Sequence, residues 1–144
     1  MGINWSRTGA NHTPAYQTSG VPYVTGSLDA GENLNSSTKK FSFPYVTRDI
    51  TFFITNSDAT EYLKVGFSSD GISGNPTTGE INYFRVNHNV SGVPIPVRCK
   101  EIYVASSDDA MIWSMVAGLT TIRNDQFPTL TGSIDGSTAF EGIG

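Results

Sequence analysis

The chain has 144 residues, 38% of them hydrophobic and only 15% charged, against a usual charged share of about 25%; at this length one domain can bury a core without a disulfide or metal staple. Its 9 basic and 13 acidic residues leave a net charge of -4, which argues against nucleic acid, because phosphate binders cluster Lys and Arg and the only adjacent basic pair is Lys39-Lys40. No apolar run approaches the roughly 18 residues that cross a bilayer, and a single cysteine, Cys99, excludes an internal disulfide or a multi-cysteine metal site.

Val and Ile together number 21 against 5 Leu, and 57 positions are Ser, Thr, Asn or Gly. Stiff β-branched side chains between turn formers predict short strands rather than a helix bundle. In chain order, residues 1–28 show no sustained periodicity. They carry Gly9, Pro14, Gly20, Pro22 and Gly26, with Trp5, Tyr16 and Tyr23 spaced among polar residues. Such a segment cannot build its own core, so it is expected as an extended arm lying on the domain or on a neighbour. Residues 29–40 read as a polar loop opening the body, which is expected to span 29–125.

Arg48 to Thr55 alternates, with Ile50, Phe52 and Ile54 on one face, and Asn56-Ser57-Asp58 closes it as a turn. Tyr62 to Phe67 alternates again, placing Leu63, Val65 and Phe67 inward. Ser68 to Gly79 is expected as a loop with a tight turn at Asp70-Gly71, and Ile81 to Val86 as a strand. Val93 to Cys99 contains Pro94 and Pro96 and is confined to an edge or connector. Glu101 to Ala105 turns Ile102 and Val104 inward, a parity change after Cys99 that predicts a bulge or bend. Ala110 to Ala117 is apolar on both faces and reads as a buried central strand, with Trp113 in the core. From Thr120 the chain reads as irregular, and residues 126–144 as a tail packed on the body or a neighbour. Many short strands at near-regular spacing predict an all-β, antiparallel β-sandwich, jelly-roll-like or immunoglobulin-like.

Catalytic patterns are sparse. Only His12 and His88 could serve a nucleophile, and no Gly-x-Ser-x-Gly elbow exists. Cys99 lies between Arg98 and Lys100, but alternation turns those cations to the opposite face, so it reads as a small buried hydrophobe. Two histidines and one cysteine give no zinc spacing, and Asp108-Asp109, or Asp70 with Asn75 and Glu80, do not match a calcium loop. No cofactor, no metal and no enzymatic activity are expected. Trp5, Tyr16, Tyr23 and Phe127 are the expected contacts with partner subunits, as aromatic anchors in neighbouring pockets.

The opening Asn4 to Ser27, with Phe43-Pro44-Tyr45-Val46-Thr47-Arg48, Leu63-Lys64-Val65-Gly66-Phe67-Ser68, Asn82-Tyr83-Phe84, Cys99-Lys100-Glu101-Ile102, Ala117-Gly118-Leu119-Thr120 and Leu130-Thr131-Gly132, resembles small virion structural proteins of tailed marine phages, including T4-like cyanophages. The resemblance implies a non-enzymatic capsid decoration or cement protein that binds the major capsid protein lattice or other virion subunits. A homo-oligomer, with a trimer favoured by ring closure, no nucleic acid and no membrane are expected. Residues 1–7 lack the apolar stretch of a secretory signal, consistent with assembly in a host cytoplasm onto the capsid surface. The alternatives are a carbohydrate- or receptor-binding sandwich module, or a neck or tail component.

Overall fold

A computed structural model describes residues 21–26, 38–56, 60–74, 79, 81–107 and 111–127. Eight strands and one short helix lie among them: β1 (Val21–Gly26), β2 (Lys39–Ser42), β3 (Tyr45–Asn56), β4 (Leu63–Gly66), α1 (Ser69–Ser73), β5 (Tyr83–Val86), β6 (Pro94–Ile95), β7 (Glu101–Ser106) and β8 (Ile112–Arg123). They form two antiparallel four-stranded sheets, β1-β8-β3-β6 and β2-β7-β4-β5. First pairs with last, second with seventh, third with sixth and fourth with fifth. That nesting is a long hairpin rolled up on itself, the jelly roll, and it decides between the two sandwich topologies the sequence left open.

The alternating segments become strands because one face of each can be hidden. Ile50, Phe52 and Ile54 of β3 face Trp113, Met115, Ala117 and Leu119 of β8 within one buried cluster, joined by Leu63, Val65, Ile102 and Val104 from the other sheet. Trp113 meets Phe41 edge-on across the sandwich, ring centroids 5.7 Å apart, a favoured aromatic geometry. The parity change at Cys99 is a corner: β6 belongs to the first sheet and β7 to the second, so residues 96–100 carry the chain between them. Thr47 pins that corner to β3. Its hydroxyl accepts the Cys99 N–H at 2.9 Å and lies 2.8 Å from the Val97 carbonyl oxygen.

Three expectations are corrected. Val21–Gly26, assigned to the arm, is an edge strand in register with β8 from Val21↔Leu119 to Gly26↔Ser114. Its fit depends on Gly26, where a Cβ would stand 2.5 Å from the Trp113 carbonyl oxygen. The supposed loop after Ser68 holds α1, whose first turn is capped by the Ser68 hydroxyl accepting the Gly71 N–H at 2.9 Å. β8 is central, between β1 and β3, but it runs on to Arg123, and Ile112, Ser114 and Val116 on its outer side are only half-buried. Its strand pairing with β3 outlasts the apolar stretch, with the register shifting at Tyr45/Thr47 and Thr47/Asp49.

Candidate functional site

Of the four expected anchors, Trp5 and Tyr16 lie outside the described residues. Tyr23 is half-buried on β1, and its ring meets Phe43 edge-on at 5.1 Å. The ring is thus occupied by the domain's own core. Phe127 is half-buried just beyond β8, and its carbonyl accepts a hydrogen bond from Lys100 Nζ at 3.4 Å.

Nor do the described residues assemble a reactive centre. Cys99 is buried, with Sγ 3.4 Å from Thr47 Oγ1. Burial pushes its thiol up to about 11, against a weaker lowering by the Thr47 hydrogen bond, so the nucleophilic thiolate is suppressed at neutral pH. His88 starts a 3-10 turn, His88–Val90, and His12 lies outside the described residues. Among the described residues no three His, Cys, Asp or Glu side chains cluster as a metal site.

Two surfaces stand out instead. The first is an apolar cleft of about 220 Å³ where both sheets end, at edge strands β5 and β6. Phe52, Phe84, Val86 and Ile95 line it together with Arg85, and Val90 and Val93 stand at it from the β5–β6 connection, 46% and 57% exposed. That connection is clipped to β3. The Gly92 N–H, at a left-handed φ of 80° that suits glycine, donates to the Phe52 carbonyl at 2.8 Å, and Ser91 Oγ accepts the Ile54 N–H at 2.9 Å. The valines are therefore held in place at an edge where water gains nothing from them. Isolated surface valines are ordinary; these two border an apolar cleft.

The second surface is the outer face of the β2-β7-β4-β5 sheet, which carries Lys40, Tyr103, Lys64, Tyr83 and Arg85, with Tyr62 just before β4. Arg85 lies over Tyr62 with its guanidinium carbon 4.3 Å from the ring centroid, and that of Tyr83 is 5.9 Å away. Lys64 Nζ sits 5.5 Å from the Tyr83 centroid, and Lys40 Nζ 5.7 Å from that of Tyr103. All are within the range of cation–π attraction. The sequence analysis did not single out this face. Its signal was present as Tyr62-x-Lys64 and Tyr83-x-Arg85, because a period of two puts both members of each pair on one side of a strand.

Comparison with protein-family models, with curated proteins and with solved structures finds no match to this chain.

Proposed function

We propose that this chain is a non-enzymatic structural subunit of a phage virion, a capsid decoration or cement protein that holds the head lattice by contact area alone. The apolar cleft at the β5–β6 edge carries the reading. A rigid jelly roll that keeps Val90 and Val93 exposed beside Phe52, Phe84 and Ile95 has a pre-formed socket for apolar side chains of a neighbouring subunit. The sequence resemblance supplies the virion setting. The opposite edge of the same sheet is β1, where Val21 and Val24 are also exposed. Contacts between unlike edges are heterologous and close into a ring where the rotation between subunits is three-fold, which suits the proposed homo-oligomer, a trimer at local three-fold positions.

The test is co-sedimentation of the purified full chain with undecorated heads. Val90→Asp with Val93→Asp places two charges at the cleft while altering only exposed positions. The variant is expected to fold with an unchanged far-UV spectrum and to lose most head binding. Wild-type binding by the double variant would refute the cleft's role, and absence of binding by the wild-type chain would refute the cement reading.

The carbohydrate- or receptor-binding alternative draws on a different observation, the tyrosine-bearing outer face, whose rings stand on paired strands.

A further inference from the structure

We infer that the outer face of the β2-β7-β4-β5 sheet is a binding site for an acidic polysaccharide, one carboxylate of which is held between Lys64 and Arg85. The inference is separable from the cement reading at Lys64, because the face and the cleft meet only at Arg85, which borders both.

The argument starts from a pairing that folding alone disfavours. Lys64 on β4 and Arg85 on β5 are direct cross-strand partners on the outward side, and like charges directly opposite destabilise a sheet. Other surface cations, one of them on this same face, are offset by carboxylates. Lys40 Nζ pairs with Glu101 at 2.6 Å, Arg48 with Asp49 at 3.2 Å and Arg123 with Asp125 at 3.1 Å. Among the described residues, no carboxylate pairs with Lys64 or Arg85. What they have instead is aromatic surface. Tyr62 and Tyr83 both lie against Arg85, and Lys64 sits over Tyr83 as well. Tyr83 also hydrogen-bonds the Arg85 guanidinium, whose five N–H donors leave others for the oxygens of a carboxylate.

Two features select a saccharide over an acidic protein surface. Protein interfaces concentrate apolar side chains at their centre, yet no outward residue of these four strands is an exposed Val, Ile, Leu or Phe. The large outward side chains are tyrosines, long cations and Glu101, which Lys40 neutralises, and tyrosine joins an apolar ring to a hydroxyl at one end, the combination that meets both the face and the hydroxyls of a sugar. Cations over the rings set it against neutral sugars, since they obstruct open stacking while attracting negative charge. The face is also firm. Ile72 of α1 packs into the space over Gly66, where a Cβ would stand 3.1 Å from Ile72 Cδ1, and Gly66 is the register partner of both Tyr103 and Tyr83.

The experiment is affinity electrophoresis and calorimetry of the full chain with polygalacturonate, with dextran as the neutral polymer and poly-L-glutamate as the acidic polypeptide. Polygalacturonate is expected to retard the wild-type protein, more weakly as salt rises, and dextran to leave it unmoved. Arg85→Gln and Lys64→Gln should each weaken polygalacturonate binding by about tenfold or more, the loss of a charge-assisted hydrogen bond. Both variants should keep the wild-type urea midpoint or exceed it, because each relieves the like-charge pair, and Lys64→Gln, which lies off the cleft, should still sediment with heads. The inference is overturned if wild-type protein ignores polygalacturonate, if Lys64→Gln and Arg85→Gln each bind it as tightly as wild type, or if poly-L-glutamate binds equally well. Polygalacturonate binding by a wild-type chain that does not sediment with heads would count against the cement reading alone.

Discussion

Replacing Thr47 by Val tests whether one hydroxyl holds the crossing between the two sheets. Thr47 is fully buried, and its Oγ1 accepts the Cys99 N–H at 2.9 Å while lying 2.8 Å from the Val97 carbonyl oxygen and 3.2 Å from that of Cys99. Valine keeps the shape but offers no acceptor, so the Cys99 N–H stays buried and unpaired, at a cost of about 1–3 kcal/mol. Val97 is half-buried, so its carbonyl can turn to water and adds little. The extra methyl would return about 0.8 kcal/mol on burial, but it must sit where polar atoms approach within 3 Å, and close contact removes that gain. The net expectation is a loss of about 2 kcal/mol, which at a urea slope of about 2 kcal/mol/M lowers the midpoint by about 1 M. Thr47→Ser is the control, since it keeps the hydroxyl and loses one buried methyl, about 1 kcal/mol. Equilibrium urea unfolding followed by tryptophan fluorescence measures both. If Thr47→Val proves as stable as Thr47→Ser, the hydroxyl does not secure the corner and the reasoning fails.

Two further outcomes follow from the core. Folding raises the Cys99 thiol from an ordinary 9.0 to about 11, so above pH 9 the unfolded chain loses its proton first. This contribution is intact below pH 9 and is lost as pH rises toward 11, by about 2–3 kcal/mol in all at 1.36 kcal/mol per unit. The wild-type stability curve should therefore fall more steeply over that range than that of Cys99→Ala, and parallel curves would contradict the burial argument. Gly26→Ala should destabilise by about 1–3 kcal/mol, because its Cβ would meet the Trp113 carbonyl oxygen at 2.5 Å and the Ser114 Cα at 2.8 Å; an unchanged melting temperature would show that β1 is not closely seated on β8.

The strands were readable wherever burial imposes a period of two. Ile50, Phe52 and Ile54, or Leu63 and Val65, announce their inward face because water excludes them from the other. Pro94 and Pro96 announced an edge, and β6 is one, since proline cannot donate to a second neighbour. β1 was missed because an edge strand buries little: only Tyr23 and Gly26 among its residues answer to the core, and Val21, Pro22 and Val24 are exposed. α1 was missed because five residues with one buried isoleucine leave no helical period, and its cap, Ser68, also reads as turn composition.

Both candidate surfaces were invisible for a related reason. Tyr62 and Tyr83 lie 21 positions apart, and Phe52 and Val93 lie 41 apart, so only the pairing of β4 with β5 and of β3 with β6 brings them to one place. The sequence by itself determined the class of structure: β-branched alternation between turn residues yields strands, and their summed apolar faces require two sheets packed together. Which strands became neighbours, whether the sandwich closed as a jelly roll, and where two cations came to stand opposite each other were decided by the tertiary structure. Those outcomes depend on contacts between distant segments, and local pattern fixes which side of a strand is apolar without fixing what lies beside it.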